Sequence, residues 1–251
     1  MKEEIIEKAK CDFRVNYDYV IYDKIHVFSA IPSNLNSIVI YCHGLGSNRL
    51  WASRFYDELF KKNIGIISFD FPGHGDDKTS FKDFTLQLCI TYLDSIINYA
   101  KDNYNAPIYL FGSSFGGYVI LNKLLNSNKS ICKTILMCPA INFCQIVEKK
   151  TGVCIEYFTK NEFLPLYNNI KFYKKTYLDF KSADYEIKKS KFNNIAIIQG
   201  MLDSTVDYNI IENFCNINSL NLYKIERGKH ELYDYNKKLT DILIYEIIYK
   251  E

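Results

Sequence analysis

The sequence predicts an α/β domain built on a mostly parallel sheet with helices on both faces. Short, continuous runs of β-forming apolar residues recur along the chain and alternate with segments whose apolar residues follow helical spacing. These runs are apolar at nearly every position, which is typical of strands buried on both faces of a parallel sheet. With 251 residues, of which 48% are hydrophobic, the chain is long enough to bury such a core.

The predicted strands and helices follow from these patterns in chain order. Residues 19–30 contain enough β-forming residues for an antiparallel hairpin. Six further strands are predicted from apolar runs: Ser37–Cys42, Ile64–Phe69, 108–111, 132–138, 195–199 and 220–225. Helices are predicted from the spacing of apolar residues: 50–62, 84–104, 118–125, 208–215 and a last helix that ends near residue 249.

One segment interrupts this alternation of strands and helices. Residues 141–190 are rich in aromatic residues and lysines and contain no clear strand. We therefore predict a cap or lid of residues 141–190 on a core of residues 1–140 and 191–251. The aromatic side chains of the segment are expected first to form a small core of their own, and a few to line an apolar pocket.

The chemistry is expected at the turn that follows the strand at 108–111. Gly112 and Gly116 flank Ser114 in a G-x-S-x-G pattern between a strand and a helix. So sharp a turn raises the Ser114 hydroxyl to the carboxyl edge of the sheet, and the glycines let neighbouring chain pass without a Cβ clash. The N–H of Phe115 then points towards an anion bound at the helix start. The alternative is a glycine-rich turn without catalytic function.

A carboxylate and an imidazole follow the last two predicted strands. Asp203 and His230 stand at these strand ends, and ligands bind at this edge of a parallel sheet. A serine needs a base to take its proton, and the base needs an anion to fix its tautomer. Ser114, His230 and Asp203 therefore predict nucleophilic catalysis that needs no metal or cofactor. One alternative is that His230 is a solvated loop residue. Another is that Asp207, not Asp203, is the acid, although Asp207 is better placed to cap the following helix.

Other polar residues at strand ends are interpreted as structural. His43 is expected to hydrogen-bond within its own loop rather than to contact a substrate. Asp70 and His74 belong to a cluster of turn residues and are expected to build that turn.

Composition argues against several kinds of partner. The net charge of +2 and the pI near 8.0 give no push towards nucleic acid or a membrane surface. We recognise no signal peptide and no run long enough to cross a bilayer, so we expect a cytoplasmic protein without nucleic-acid partner or stable membrane anchor. Its eight cysteines are then expected to be thiols, with Cys42, Cys132 and Cys138 buried in apolar runs.

Taken together, the motifs resemble the α/β-hydrolase family from about Ser37 to the C-terminus. They are H-G-x-G from His43, D-x-P-G-H-G from Asp70, G-x-S-x-G-G from Gly112, G-x-x-D ending at Asp203 and G-x-H ending at His230. Within the family the chain is most similar to small bacterial carboxylesterases, including cinnamoyl and feruloyl esterases and monoacylglycerol lipases. The resemblance implies a mostly parallel eight-stranded sheet and a small inserted cap.

The resemblance also implies a role for each matched residue. Ser114 would be the nucleophile, His230 the base and Asp203 the acid that orients the base. The backbone N–H groups of Leu45 and Phe115 would form the oxyanion hole. The supporting loops would contain His43, Gly44, Gly112 and Gly116.

The implied reaction is hydrolysis of a small carboxylic ester through an acyl-enzyme. A thioester, or an amide as in aminopeptidases of this family, is an alternative substrate, because the same three residues serve all of these reactions. A member that binds a small ligand without catalysis is a further alternative. Ser113, Phe115 and Asp207 stand where other residues are frequent in these esterases, so the sequence leaves the acyl and alcohol groups open.

Overall fold

In a computed structural model, an eight-stranded and mostly parallel sheet forms the centre of the fold. The structure describes residues 15–22, 24–126, 131–184, 192 and 194–249. The strands are β1 (Val15–Ile21), β2 (Ile25–Ala30), β3 (Ser37–Cys42), β4 (Ile64–Phe69), β5 (Ile108–Ser113), β6 (Lys133–Met137), β7 (Phe163–Pro165), β8 (Lys171–Tyr173), β9 (Ile195–Gly200) and β10 (Asn221–Ile225). In the large sheet they lie in the order β1-β2-β4-β3-β5-β6-β9-β10.

The six strands from β4 to β10 in this order are parallel, so their carboxyl ends meet at one edge of the sheet. β1 and β2 form the predicted antiparallel hairpin, and β2 is also antiparallel to β4. The remaining two strands, β7 and β8, pair only with each other.

Helices pack beside the sheet. The described α-helices are α1 (Tyr56–Phe60), α2 (Leu86–Asn103), α3 (Phe115–Asn126), α4 (Phe143–Thr151), α5 (Lys174–Ser182), α6 (Tyr208–Asn218) and α7 (Asn236–Ile248). A 3-10 helix, Arg49–Arg54, precedes α1. None of the helices that the structure describes combines the length and the apolar character needed to span a bilayer.

Both faces of the sheet are covered by apolar side chains. On β3, Ile38 and Ile40 belong to one cluster of buried residues, whereas Val39 and Tyr41 belong to the cluster on the other face. The first cluster includes residues of α2, α3 and α6, and the second includes residues of α1 and α7. The predicted α/β class, with a mostly parallel eight-stranded sheet and helices on both faces, is confirmed.

Some local predictions differ from the structure. The helix predicted at 50–62 is split into the 3-10 helix and α1, with Phe55 between them. The helix predicted from residue 118 begins three residues earlier, at Phe115. The expectation that Cys132 is buried is wrong: the residue is exposed, because it precedes β6 at the edge where the strand enters the sheet.

Short elements make up the described part of the segment, residues 141–184. It contains α4, the hairpin of β7 and β8, and α5, so the expectation of no strand there is wrong. Asn168 and Asn169 adopt φ values of 55° and 61°, a left-handed conformation that asparagine tolerates and that turns the chain between the two strands. The predicted boundary at residues 190 and 191 lies outside the described residues.

The aromatic side chains of this segment extend the core of the domain instead of forming a separate one. The rings of Phe143 and Phe180 lie 5.1 Å and 5.6 Å from the ring of Phe115 at the start of α3. Phe172 and Tyr177 belong to the same continuous cluster as the helices of that face. The segment is therefore anchored directly beside the turn that contains Ser114.

Candidate active site

Ser114 lies on the turn between β5 and α3, in a strained backbone conformation. Its φ of 50° is in the left-handed region, which non-glycine residues rarely adopt. Three hydrogen bonds hold the turn. The Ser114 N–H donates to the carbonyl of Met137 at 2.9 Å, and the Ser114 carbonyl accepts from the N–H groups of Tyr118 at 3.2 Å and Ala140 at 3.1 Å. The side chain therefore stands at the carboxyl edge of the sheet, as predicted.

Gly116 allows the start of α3 to approach the end of β3. A Cβ at this position would lie only 2.1 Å from the carbonyl oxygen of Cys42, which is backbone and cannot rotate away. The close approach brings the loop after β3 beside the nucleophile candidate. A Cβ on Gly44 would lie 3.6 Å from the Cβ of Ser114.

His230 connects Ser114 to Asp203. Its Nε2 lies 2.9 Å from Ser114 Oγ, and its Nδ1 lies 2.8 Å from Asp203 Oδ2. An ionised carboxylate only accepts, so Nδ1 carries the proton and Nε2 is left to accept from the serine hydroxyl. The structure thus brings together the three side chains that the sequence analysis singled out, from three different strand ends.

Asp203 is buried and accepts four hydrogen bonds. Its Oδ1 accepts from the N–H groups of Thr205 and Val206, both at 2.8 Å, and its Oδ2 accepts from Gln199 Nε2 at 3.0 Å as well as from His230. Burial alone would raise the pKa of the Asp203 carboxyl, but the hydrogen bond and charge of His230 and the two N–H donors outweigh burial and lower it. The carboxylate is therefore ionised beside the imidazole.

Gln199 is a site residue that the sequence analysis did not identify. Its side chain is fully buried at the end of β9, where the amide also donates to the carbonyl of Val206 at 3.2 Å. The available signal was a polar residue within an otherwise apolar strand, which needs a partner when buried.

Asp207 has the other role considered for it. Its carboxylate accepts from the N–H of Asn209 at 2.9 Å, which is the geometry of an N-cap at the start of α6. Of the two candidate aspartates, Asp203 is the one in contact with His230.

His43 organises the loop that contains Leu45. The ring is fully buried; Nδ1 donates to the carbonyl of Gly44 at 2.7 Å, and Nε2 accepts from the N–H of Phe71 at 3.1 Å. The Gly44 carbonyl also accepts from the N–H of Ser47 at 3.1 Å. Since this carbonyl and the Leu45 N–H belong to one peptide plane, the two hydrogen bonds fix the direction in which that N–H points.

The two backbone N–H groups expected to form the oxyanion hole have no partner in the described part of the chain. Among the described residues, neither the N–H of Leu45 nor that of Phe115 has a hydrogen-bond acceptor. Leu45 follows Gly44, which adjoins Ser114, and Phe115 follows Ser114 directly. Both N–H groups therefore belong to the chain segments that surround Ser114.

The second turn cluster has a structural role, as expected. Asp70 is fully buried and accepts from the backbone N–H groups of Arg49 at 2.7 Å and Asp76 at 2.9 Å. His74 Nδ1 donates to the carbonyl of Pro72 at 2.9 Å.

A cavity of about 610 Å³ opens above Ser114 and His230. Nine of its 24 lining residues belong to the segment 141–190, among them Phe143, Ile146 and Val147. The same segment is hydrogen-bonded to the loop after β3, since the Tyr167 hydroxyl donates to the Leu45 carbonyl at 2.9 Å. The segment therefore forms a wall of the cavity.

The donor atoms of Cys138, Asp203 and His230 lie within 4.8 Å of one another, close enough to share a metal ion. The hydrogen bond between His230 and Asp203 already uses two of these atoms. Burial, followed by the charge of Asp203, raises the pKa of the Cys138 thiol well above its usual range, so the sulfur stays protonated. The arrangement favours a hydrogen-bonded relay.

One protein-family model and several known proteins match this chain. The model of the serine aminopeptidase S33 family (Hydrolase_4) matches residues 33–189. A Mycoplasma genitalium protein named as an esterase/lipase is 25% identical over 138 residues, which are 54% of this chain and 49% of that protein. Protein phosphatase methylesterase 1 of Debaryomyces hansenii is 33% identical over 104 residues, 38% of this chain and 27% of that protein. The chain thus spans about half or less of these relatives.

Solved structures share the fold over most of the chain. Est1E from Butyrivibrio proteoclasticus, determined with bound ferulic acid, superposes with a TM-score of 0.76 at 18% identity, covering 92% of this chain and 99% of that one. A monoacylglycerol lipase from Paleococcus ferrophilus superposes with a TM-score of 0.64 at 14% identity, covering 89% and 99%.

Proposed function

Since the chain belongs to the serine aminopeptidase S33 family of α/β-hydrolases, we propose that it is a serine hydrolase that cleaves small carboxylic esters through an acyl-enzyme. The observation that carries the proposal is the continuous hydrogen-bonded relay from Ser114 Oγ through His230 to the buried carboxylate of Asp203, with distances of 2.9 Å and 2.8 Å. The family provides the hydrolase assignment, and this relay supports the nucleophile.

In the first half of the reaction, Ser114 Oγ attacks the carbonyl carbon of the ester while His230 Nε2 takes the hydroxyl proton. The tetrahedral oxyanion accepts hydrogen bonds from the N–H groups of Leu45 and Phe115. Asp203 stabilises the imidazolium, whose proton then passes to the departing alcohol. The ester bond breaks and the acyl group remains on Ser114.

In the second half, water replaces the alcohol. His230 Nε2 removes a proton from the water as it attacks the acyl-enzyme, the same two N–H groups hold the new oxyanion, and the proton returns to Ser114 Oγ. The acid is released and the starting state is restored.

We further propose that residues 141–190 act as a cap that selects the substrate. Their apolar side chains on the cavity wall would exclude water from the ester, which strengthens the hydrogen bonds to the oxyanion. The substrate is accordingly a small molecule that fits a cavity of about 610 Å³.

Relatives favour an ester over an amide. The curated relatives are named as an esterase/lipase and a methylesterase, and Est1E was solved with ferulic acid, whereas the family model is named for an aminopeptidase. A panel of acetyl, butyryl and feruloyl esters, a thioester and an amino-acid anilide distinguishes these substrates by kcat/KM. Faster turnover of the anilide than of every ester would overturn the ester assignment.

The identity of the nucleophile is tested by labelling with a fluorophosphonate probe, followed by digestion and mass spectrometry of the peptides. The wild-type protein should gain the probe mass on the peptide that contains Ser114, and Ser114→Ala should gain none and lose about 10⁴-fold or more in kcat. Ser113→Ala is the matched control, and labelling should persist in it. Labelling at Ser113 in the Ser114→Ala variant would refute the assignment.

A further inference from the structure

Arg54 lines the same cavity as Ser114 and His230. It is the last residue of the 3-10 helix Arg49–Arg54 and is partly buried. Apart from His230, the charged residues of the cavity lining are Arg54, Lys150 and Glu231. The cavity wall therefore contains two cations and one carboxylate.

Every partner of the Arg54 guanidinium within the described part of the chain is uncharged. Nε donates to Asn236 Oδ1 at 2.9 Å, and Nη2 donates to the same oxygen and, at 3.5 Å, to the carbonyl of Leu232. The guanidinium carbon lies 5.1 Å and 5.3 Å from the ring centroids of Trp51 and Tyr233. Nη1 donates to no described residue, so two N–H groups are left for a ligand.

A second arginine on the same 3-10 helix differs from Arg54 in its partners and has a structural role. Arg49 is buried and forms ion pairs with Asp18, Asp70 and Asp76. Its charge is thus compensated by carboxylates, as expected for a buried cation. Arg54, five residues later, has no carboxylate within ion-pair distance among the described residues.

An uncompensated cation in a partly buried site is energetically costly. Burial lowers the pKa of the Arg54 guanidinium below its usual value, against the opposing influence of Tyr41 and Tyr233. The stacked aromatic rings offset only part of this cost, because they attract the cation without neutralising it. A bound anion would compensate the charge and use the open Nη1 group.

The other two charged residues of the cavity lining are exposed, unlike Arg54, so solvent already compensates their charges. Lys150 is exposed and its Nζ donates to the hydroxyl of Thr205 at 2.7 Å, so it adds positive charge near the cavity. Glu231 is exposed, where water and salt screen its charge.

We propose that Arg54 binds a carboxylate carried by the substrate, so the preferred substrates are small esters with a free carboxylate remote from the scissile bond. The inference rests on the proposed serine hydrolase function, because it concerns the same cavity. A guanidinium recognises a carboxylate through charge-assisted hydrogen bonds, whereas a neutral ester leaves the arginine uncompensated.

The test compares each anionic ester with a neutral analogue in which a carboxamide replaces the carboxylate. Monoethyl succinate, glutarate and adipate place the carboxylate on the acyl side, and 4-acetoxybutyrate places it on the alcohol side. We expect the wild-type protein to prefer at least one acid over its amide by about 10- to 100-fold in kcat/KM, mainly through KM. Arg54→Gln should reduce this ratio to near one, and Arg54→Lys should retain part of it.

Lys62→Gln is the matched control, because it removes one positive charge from an exposed position outside the cavity. It should leave the preference ratio at the wild-type value. An equal fall in the ratio for Lys62→Gln would show that net charge, not the Arg54 site, sets the preference, and would overturn the inference.

A binding measurement separates this inference from the proposed function. Calorimetric titration of Ser114→Ala with glutarate and with glutaramide should show tighter binding of the dicarboxylate, and added salt should weaken only that binding. This measurement needs neither turnover nor a folded Arg54 variant.

Equal binding of the two compounds, together with equal wild-type kcat/KM for acid and amide, would refute the role of Arg54 while leaving the proposed hydrolase function intact. No labelling and no turnover of any ester, but selective glutarate binding, would refute the proposed function and support the subsite.

Discussion

Replacing Gly116 by alanine should destabilise the fold and slow catalysis together. A Cβ at this position would lie 2.1 Å from the carbonyl oxygen of Cys42 and 2.8 Å from that of His43. Since Cβ contacts below 3.0 Å are essentially never seen, α3 and the end of β3 must separate by about 0.9 Å, the difference between 3.0 and 2.1 Å. The atoms that the new Cβ would meet are backbone carbonyls, which cannot rotate away, and overpacking of this kind costs about 1–3 kcal/mol.

The same separation should disturb the two proposed oxyanion donors. Leu45 follows β3 and Phe115 begins α3, so moving the two elements apart also moves their N–H groups apart. Loss of one oxyanion donor lowers kcat by about 10²–10³-fold. We expect thermal unfolding of Gly116→Ala, followed by circular dichroism, to show a Tm lowered by about 2–12 °C. In parallel, kcat for an acetyl ester should fall by about 100-fold.

Gly44→Ala is the matched control for stability. Its Cβ would lie 3.6 Å from Ser114 Cβ and 3.8 Å from the carbonyl oxygen of Ser113, which are ordinary contacts. This variant should unfold within about 2 °C of the wild-type protein. If Gly116→Ala unfolds at the wild-type temperature and keeps its kcat, the close approach of α3 to β3 does not position the oxyanion donors, and the reasoning fails.

Three further changes test the relay, the buried histidines and the cavity wall. Asp203→Asn should lower kcat by about 10⁴-fold, because an amide leaves the imidazole in the wrong tautomer. Asp207→Asn should lower kcat by less than about twofold, since asparagine also caps helices. If Asp207→Asn lowers kcat more than Asp203→Asn does, the acid is Asp207. Burial lowers the pKa of His43 and of His74 to about 4, and the neighbouring His43 charge adds to the shift of His74. The unfolded chain therefore binds more protons than the folded chain between about pH 6.5 and 4, and stability should fall as the pH decreases through this window, by on the order of 3 kcal/mol for each histidine. Urea titrations near pH 7.5, 5.5 and 4.5 measure this loss, which His74→Phe should roughly halve; a free energy of unfolding that is constant across the window would contradict the argument. Ile146→Ala removes apolar surface from the cavity wall and should raise KM for a hexanoyl ester about 3- to 10-fold more than for an acetyl ester, while equal changes would exclude this wall from substrate selection.

Strand positions in the central sheet were predictable from the sequence. β3 and β4 have the predicted bounds, Ser37–Cys42 and Ile64–Phe69, because a strand covered on both faces must be apolar at every position. The segment 141–190 was less predictable. Its short elements are too brief for a clear periodicity, and its aromatic residues pack against Phe115, a contact that local patterns do not reveal.

For the candidate site, the sequence by itself determined which residues could do the chemistry. Ser114, Asp203 and His230 were identifiable because each combines a reactive side chain with a strand end in a recognisable motif. Only the tertiary structure decided that they meet, since His230 is 116 residues from Ser114 and 27 from Asp203 in the chain.

The same limit applies to Gln199 and Arg54. A side chain's type states what it can donate or accept, but its partner is set by the packing of distant segments. The structure supplies Asp203 as the acceptor for Gln199, and among the described residues it supplies no carboxylate for Arg54. Both outcomes depend on contacts between residues far apart in the chain, which the local sequence around each residue does not reveal.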